Sequence, residues 1–195
     1  MIGKEEQAEF LLEAMPYIEK YQNKILVVKY GGNAMTDDEL KLLVMRDMTL
    51  LRFVGIKVVL VHGGGPEISQ TMKRMGIESR FVNGLRYTDE ETAEVVRMVL
   101  AGKVNKSLVH MLGAMGARAI GICGIDGNLL RCSKESEELG FVGKIEQVNT
   151  HILTSCLDAG YLPVVSTVGY DDEGNIYNVN ADTAASAIAG ALKAE

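Results

Sequence analysis

Two glycine-rich turns, each directly after a short apolar run, are the parts of this sequence best suited to chemistry. Residues 25–30 are followed by the pair Gly31-Gly32, and residues 58–62 are followed by the run 63–66, Gly-Gly-Gly-Pro. Both apolar runs are short and rich in β-branched residues, as in buried parallel strands. A glycine turn between a strand and a helix exposes backbone N–H groups and lets an anion approach the chain closely. The two turns therefore predict a site for anionic groups.

Lys29 stands at the carboxyl end of the first apolar run, directly before the first glycine turn. Ligands of open parallel sheets collect at that edge, and an ammonium group there can face the oxygens of a phosphoryl group in transfer. Taken alone, the lysine is better explained as a solvated residue at a strand end. Together with the two turns, it favours a phosphoryl-transfer enzyme. His62, which ends the second run, is expected to be structural rather than a catalytic base.

Two further segments carry polar groups that could act at the same edge. Arg86 lies in the segment 83–88, before a helix, and an arginine can hold a carboxylate with two parallel hydrogen bonds, although a lone loop arginine is usually solvated. Asn178 and Asp182 flank Asn180, which predicts an N-cap with Asp182 in the favourable first turn of the helix. Both could also reach the sheet edge of Lys29, where a carboxylate would orient lysine side chains.

Composition and missing motifs exclude several classes of function. The 195 residues are 47% hydrophobic and 24% charged, with a formal net charge of −6 and no basic cluster, which disfavours nucleic-acid binding. No apolar run approaches the roughly 18 residues of a membrane span, and the first residues lack a signal-peptide pattern, so a cytoplasmic location is expected. The sequence has neither a P-loop nor a GxGxxG fingerprint, which makes a dehydrogenase a poor alternative, and it lacks the HRD and DFG kinase signatures.

The three cysteines have no metal-binding or disulfide pattern. Cys123, Cys132 and Cys156 are odd in number and without CxxC spacing, so reduced thiols are expected, with neither a disulfide frame nor a zinc site.

Periodicity and capping residues predict alternating helices and strands. An amphipathic helix over 5–22 should be kinked or divided at Pro16, and Thr88 with Glu91 forms a capping-box pattern for a long helix to about residue 113. The segment 126–128 offers hairpin turn chemistry. The remaining predicted elements are strands at 25–29, 56–61, 118–123, 129–133, 141–148 and 162–168, and helices at about 38–54, 66–76, 150–159 and 181–192. This order predicts an α/β fold with a mostly parallel sheet covered on both faces and an inserted β-hairpin.

In order and spacing, five segments of the sequence resemble those of the amino acid kinase family. They are residues 29–35, 61–66, 83–88, 102–106 and 178–182. The resemblance implies an open αβα sandwich of the carbamate kinase type. It also implies the ATP-dependent phosphorylation of the side-chain carboxylate of N-acetyl-L-glutamate, giving N-acetyl-L-glutamyl 5-phosphate in arginine biosynthesis. ATP would come with Mg²⁺, and no protein metal site is implied.

Catalytic roles follow from the resemblance residue by residue. Lys29 matches the lysine that stabilises the transferring phosphoryl group, and Asp182 matches the carboxylate that organises the catalytic lysines. Gly31 and Gly32 are expected to contact phosphate or nucleotide. The acceptor carboxylate is already ionised, so positioning and charge neutralisation should supply most of the rate without a general base.

Substrate-binding roles are implied for four residues. Gly64 and Gly65 match backbone contacts to the acyl-amino acid and phosphoryl oxygens, and Arg86 and Asn178 match side chains that bind the substrate. A related kinase that acts on N-acetyl-2-aminoadipate remains an alternative, because one methylene changes binding by only about 1–3 kcal/mol. A non-catalytic regulatory or assembly lobe is the alternative from another class.

The resemblance also implies an organisation. Residues 1–22 look like the extension of arginine-inhibited, hexameric members, and residues 23–195 like the acyl-amino-acid lobe. The family continues for about another hundred residues, within ordinary two-lobe size, so the C-terminal nucleotide lobe with a second catalytic lysine is expected to be largely absent. This chain should therefore bind N-acetyl-L-glutamate weakly, if at all, and turn over little or nothing. A homo-oligomer, a dimer through the helix near 89–113 or a hexamer through the N-terminal helix, and feedback inhibition by L-arginine are the expected partnerships.

Overall fold

The computed structural model describes residues 3–195, apart from the side chains of residues 4 and 33. The helices are α1 (Lys4–Tyr21), α2 (Asp38–Phe53), α3 (Gly65–Met75), α4 (Glu90–Arg97), α5 (Asn105–Ala114), α6 (His151–Asp158) and α7 (Ala181–Leu192). The strands are β1 (Ile25–Tyr30), β2 (Lys57–His62), β3 (Phe81–Val82), β4 (Leu85–Arg86), β5 (Ala119–Cys123), β6 (Leu130–Lys134), β7 (Gly143–Val148), β8 (Leu162–Ser166), β9 (Val168–Tyr170) and β10 (Ile176–Asn178).

A parallel sheet in the order β1-β2-β8-β5 forms the centre of the fold. Its strands are apolar on both faces because helices cover both sides. In β2, Val58 and Leu60 point into one core with α2, α3 and α5, whereas Val59 and Val61 point into the other with α6 and α7. β2 is buried as the sequence predicts, but β1 is only half-buried because it lies at the edge of the described sheet.

A second sheet, in the order β10-β9-β6-β7, contains the antiparallel hairpin of β6 and β7. The predicted hairpin turn at 126–128 is wrong, because this segment is a 3₁₀ turn that links β5 of the central sheet to β6 of the second sheet. The Asp126 carboxylate accepts a hydrogen bond from the Cys123 N–H at 2.7 Å and so closes the end of β5. The inserted hairpin is therefore made by β6 and β7, across residues 135–142.

Side chains cap the starts of α2, α4 and α7. Asp37 accepts from the N–H groups of residues 39 and 40 at the start of α2, and Asn180 caps α7. The predicted Thr88 capping box is wrong, because the side chain of Asp89 caps α4 through the Thr92 N–H at 2.8 Å. The Thr88 hydroxyl instead donates to the Arg86 carbonyl at 2.9 Å.

The predicted long helix up to residue 113 is not one regular α-helix. A π-helical segment, Met98–Val104, joins α4 to α5 and contains Gly102. Val99, Leu100 and Val104 of this segment are buried. This π segment lies under the second glycine turn.

The N-terminal helix α1 runs unbroken through Pro16, so Pro16 does not divide it, and a kink at Pro16 stays a prediction. Its apolar residues are largely exposed, among them Phe10, Leu11 and Met15. The oligomerisation role of residues 1–22 stays a prediction, and residues 1–2 lie outside the described part of the chain. Within residues 3–195, no helix combines the length and the apolar character that crossing a membrane requires.

Candidate active site

The candidate site lies where the carboxyl ends of β1, β2 and β8 meet. Tyr30 pairs with His62 in the parallel ladder, and His62 pairs with Ser166 on the next strand. The residues that follow each strand are therefore neighbours at one edge of the sheet, where ligands of open parallel sheets bind. Thr167 follows β8, and its carbonyl accepts a hydrogen bond from the N–H of Val179, which brings the start of α7 to the same edge.

All the site residues proposed from the sequence line one cleft of about 290 Å³ at this edge. They are Lys29, Gly31, Gly32, Gly64, Gly65, Arg86, Asn178 and Asp182. Residues up to about 150 positions apart in the chain thus share a single cavity. The placement is observed, whereas the roles of these residues remain proposals.

One end of the cleft, here called the lysine end, contains Lys29, Gly31 and Asp182. The Lys29 ammonium lies 3.2 Å from the Asp182 carboxylate, and the two side chains are 34% and 71% exposed. The lysine folds back over Gly31, where an added Cβ would lie 3.1 Å from Nζ. Because glycine has no side chain, position 31 leaves space for the ammonium group of Lys29. The pair is hydrated and can exchange partners when an anion enters.

Asp182 reaches this position because it lies in the first turn of α7. The Asn180 side chain accepts from the N–H of Asp182 at 2.9 Å and from that of Thr183 at 3.0 Å. The cap fixes the start of the helix and directs its positive dipole end at the cleft. The carboxylate is thus held beside the ammonium of Lys29 by the helix rather than by direct bonds to the sheet.

The second glycine turn forms the wall of the cleft and begins α3. Among the described residues, no acceptor lies within hydrogen-bonding distance of the N–H groups of Gly64 and Gly65. Gly64 also touches the π segment closely, because an added Cβ would lie 2.5 Å from a methyl group of Leu100. A side chain at position 64 would have to displace this methyl group, and without one the free N–H groups can meet an anion directly.

The part of the cleft lined by Arg86 is here called the arginine end, and the Arg86 side chain contacts Gly65, Ser69 and Ser79. Only 7% of Arg86 is exposed. Its guanidinium donates to Ser69 Oγ at 2.7 Å, to Ser79 Oγ at 2.9 Å and to the Gly65 carbonyl at 3.1 Å. Burial lowers the pKa of this group from its usual value, yet an arginine stays charged.

No carboxylate of the described residues lies within ion-pair distance of the Arg86 guanidinium, whose partners are all uncharged. A buried charge without a counterion is costly. An incoming carboxylate would meet the full positive charge there. The arginine end is therefore suited to hold an anionic substrate.

Asn178, the last residue of β10, also lines the cleft. Its amide donates to the Thr88 hydroxyl at 3.2 Å, and Thr88 in turn donates to the carbonyl of Arg86. Thr88 is fully buried. The asparagine is thus held by the loop that carries the arginine, which ties the two substrate-binding candidates together.

Sequence reasoning missed several residues that line the cleft, among them Thr167 and Leu100. Thr167 lines the cleft and is 1% exposed, and Leu100 forms the floor under Gly64. The pair Ser166-Thr167 at the carboxyl end of a buried strand is a signal that could have indicated the first, since polar residues end strands at ligand-binding edges. No local signal indicates Leu100, which reaches the cleft only through the π segment. His62 does not line the cleft, in agreement with its expected structural role.

Comparison with known sequences and structures agrees with this geometry. Residues 24–195 match the amino acid kinase family, and the chain belongs to that family. It is 56% identical over 191 residues to a curated relative from Clostridioides difficile (strain 630), which is named acetylglutamate kinase. The alignment covers 97% of this chain and 67% of the relative. The chain spans about two thirds of the length of the curated relatives it matches.

Two solved structures show the same fold. The N-acetylglutamate synthase of Neisseria gonorrhoeae, solved with coenzyme A and N-acetyl-glutamate, matches with a TM-score of 0.81 and 26% identity, over 96% of this chain and 44% of that chain. The carbamate kinase of Giardia lamblia, bound to AMP-PNP, matches with a TM-score of 0.59 and 15% identity over 88% of this chain and 68% of that chain. The expected αβα sandwich of the carbamate kinase type is thereby confirmed.

Proposed function

We propose that this chain provides the acyl-amino-acid site of an acetylglutamate kinase, which transfers the γ-phosphoryl group of ATP to the side-chain carboxylate of N-acetyl-L-glutamate. The observation that carries the proposal is the arrangement of the cleft, in which a buried, unpaired guanidinium faces one end and an ammonium the other. N-acetyl-L-glutamate has two carboxylates, so it can place one at each end. The curated relatives share this activity in their name.

At the arginine end, Arg86 would hold the α-carboxylate, assisted by Asn178. The guanidinium presents charge in a dry pocket, where an ionic hydrogen bond is stronger than in water. This binding would be the same in the ground state and in the transition state. It would therefore set substrate affinity and direct the side-chain carboxylate toward Lys29.

At the lysine end, the acceptor carboxylate and the incoming phosphate would meet Lys29 and the free N–H groups of Gly64 and Gly65. Negative charge on the phosphoryl oxygens is what these donors can neutralise during transfer. Asp182 would keep the ammonium of Lys29 oriented when no substrate is bound. ATP supplies the phosphoryl group and Mg²⁺ screens its phosphates, and Gly31 and Gly32 are the residues proposed to approach them.

The proposal extends to organisation and partners. Residues 23–195 form the substrate lobe, and residues 1–22 an extension whose exposed apolar side chains suit contact with another subunit. A cytoplasmic homo-oligomer in arginine biosynthesis, with L-arginine as inhibitor, is the corresponding biological setting. The N-acetyl-2-aminoadipate kinase alternative differs only in the length of the substrate that the cleft accepts.

Isothermal titration of the chain with N-acetyl-L-glutamate tests the proposal. Binding at one site is expected, with N-acetyl-L-2-aminoadipate weaker by about tenfold because an extra methylene must fit between fixed ends. Tighter binding of the longer compound would assign the chain to the alternative kinase. No binding of either compound, by a chain shown to be folded, would contradict the proposed site. ADP release from ATP in the presence of the acid, measured on a protein of the relatives' full length, then tests the reaction.

A further inference from the structure

The buried ring of His62 holds the glycine turn from behind. His62 is fully buried, and its Nδ1 lies 2.8 Å from the carbonyl oxygen of Gly63, the next residue. A carbonyl oxygen can only accept, so Nδ1 carries the proton and donates it. The Nε2 atom of the neutral ring is then an acceptor.

Asn105 completes this assignment on the other side of the ring. The Asn105 amide nitrogen lies 2.8 Å from the Val164 carbonyl and 3.1 Å from His62 Nε2. Because the carbonyl oxygen needs a donor, the amide group must turn its nitrogen toward the ring, where it donates to Nε2. The Asn105 oxygen accepts from the Lys106 ammonium at 3.1 Å. The hydrogen-bond partners therefore determine both the orientation of the Asn105 amide and the tautomer of His62.

The protonation state of the ring agrees with this network. Burial, together with the weaker effect of the neighbouring Lys106 charge, lowers the pKa of His62 to about 4 against the opposing hydrogen bond to Gly63. A neutral ring with one proton can serve Gly63 and Asn105 at once. A charged ring would lose its bond from Asn105, because Nε2 would then be a donor facing a donor.

The bond to Gly63 sets the direction of the next N–H group. The peptide between Gly63 and Gly64 is trans, so its C=O and N–H point in opposite directions. With the Gly63 oxygen held toward the buried ring, the Gly64 N–H points the other way, toward the cleft that Gly64 lines. We propose that His62, held by Asn105, is a positioning residue that aims the Gly64 N–H at the anion in the cleft.

The π segment supports the turn from the same side. An added Cβ at Gly64 would meet Leu100 at 2.5 Å and Val104 at 3.4 Å, and Asn105 follows directly in the chain. One helical segment therefore forms the floor beneath Gly64 and also fixes the ring that orients its peptide. Pre-set donors of this kind stabilise developing charge without reorganisation. The use of this N–H in phosphoryl transfer rests on the proposed function, whereas its orientation does not.

The tautomer of His62 in the unaltered chain is the first test. Long-range ¹H–¹⁵N correlation spectra of the labelled protein should show His62 neutral and protonated on Nδ1 at pH 7. A proton on Nε2, or a charged ring at that pH, would overturn the inference. This measurement needs no variant and no ligand.

Two substitutions of similar size separate positioning from packing. An asparagine amide nitrogen is as many bonds from Cα as histidine Nδ1, so His62→Asn keeps the donor to Gly63. His62→Gln places its nitrogen one bond farther out, near the position of Nε2, and loses that donor. Both variants lose the ring, and thermal unfolding shows how much stability each loses.

The readout is the direction of the Gly64 N–H, measured as its one-bond residual dipolar coupling in a weakly aligned sample. His62→Asn should retain the unaltered coupling, whereas His62→Gln should change it at Gly64 and leave the couplings of β5 and α6 unchanged. Inorganic phosphate, titrated as the anionic probe, should bind about tenfold more weakly to His62→Gln than to His62→Asn. An unaltered Gly64 coupling in a folded His62→Gln protein would overturn the inference.

The proposed function and the positioning role of His62 are tested by different measurements, so either can fail alone. If the chain does not bind N-acetyl-L-glutamate but the Gly64 coupling still distinguishes the two variants, the positioning role stands and the substrate assignment falls. If substrate binds and the two variants have identical couplings, the substrate assignment stands and the positioning role falls.

Discussion

The two ends of the cleft carry the same formal charge in opposite environments. At the arginine end, Arg86 is 7% exposed and contacts only uncharged groups among the described residues. At the lysine end, Lys29 is 34% exposed and already lies beside a carboxylate. A buried cation held in one position is stabilised most by a single anion bound at a fixed place. A hydrated, paired cation can release its partner and follow a charge that moves.

This difference assigns different tasks to the two ends on the proposed function. The arginine end would determine whether the substrate binds, and the lysine end would determine how fast phosphate is transferred. Because both ends belong to one cleft, substitutions at each should separate affinity from turnover. The chain also supplies a close reference for the lysine end, since Lys57 and Asp158 form a pair of nearly equal exposure, 33% and 70%, away from the cleft.

The largest effect is expected for turnover after Lys29→Met. Loss of one group that neutralises developing charge should lower the rate by about 10²–10³-fold, while the affinity for N-acetyl-L-glutamate stays within about twofold. ADP release in a protein of the relatives' full length measures the rate, and titration calorimetry the affinity. The matched control Lys57→Met should change neither. A large loss of affinity with an unaltered rate would reverse the tasks of the two ends.

Arg86→Met should lower the affinity for N-acetyl-L-glutamate by about 100-fold, because the buried charge that meets the carboxylate is removed. Stability should stay the same or rise, since an unpaired buried charge is replaced by an apolar chain. Calorimetric titration and urea unfolding measure the two quantities. Arg131→Met, which removes a surface arginine paired with Asp172, is the control. A marked loss of stability in Arg86→Met would show that the guanidinium serves the fold.

His62 is buried behind the glycine turn of the cleft, and its burial predicts a pH dependence of stability. The pKa of His62 is about 4 in the folded chain, below the usual histidine value of 6.5. As the pH falls from 7, the unfolded state therefore takes up the proton first and stability is lost. Between pH 7 and 5.5 this loss should be about 1 kcal/mol.

Urea unfolding at the two pH values measures that loss. His62→Asn should remove most of it, whereas His110→Gln, at an exposed position, should leave it in place. Equal pH dependence in the two variants would mean that other groups are responsible.

The smallest effect is expected for stability after Asp182→Asn. An exposed ion pair contributes roughly half a kcal/mol and is weakened by salt, so the loss should match that of Asp158→Asn. Only Asp182→Asn should also change turnover. Equal rates for the two variants would show that the pairing of Lys29 is incidental to catalysis.

The sequence predicts most of this cleft because its parts are local. A lysine before a glycine pair, three glycines after a strand and a capped helix start are each encoded within a few residues, and parallel strands bring their ends together. The predictions that are wrong concern positions where contacts between residues far apart in the sequence determine the structure. Thr88 is an adequate cap, but its hydroxyl is used by Arg86 and Asn178, and Asp89 is equally able to cap the helix.

Two other failures have the same origin. Residues 126–128 have the residues of a hairpin turn, but β6 finds its partners in β7 and β9 rather than in β5. The hydrogen bond between His62 and Asn105 joins residues 43 positions apart, and the sequence around neither residue indicates the other as its partner. Burial and long-range pairing, not propensity, decide both cases.

The π-helical segment has a consequence for chain length. It accommodates more residues per turn than an α-helix, so the deletion of one exposed residue, Gly102, would leave a sequence fully able to continue as ordinary α-helix. Because the π segment holds about one residue more than the α-helix that would replace it, the residues after the deletion would keep roughly their face of the helix. Asn105 would stay on the side of the imidazole, whereas Leu100 and Val104 would lie three positions apart instead of four. A shortening at this point would therefore alter the floor beneath Gly64 while leaving the helix that carries Asn105 in register.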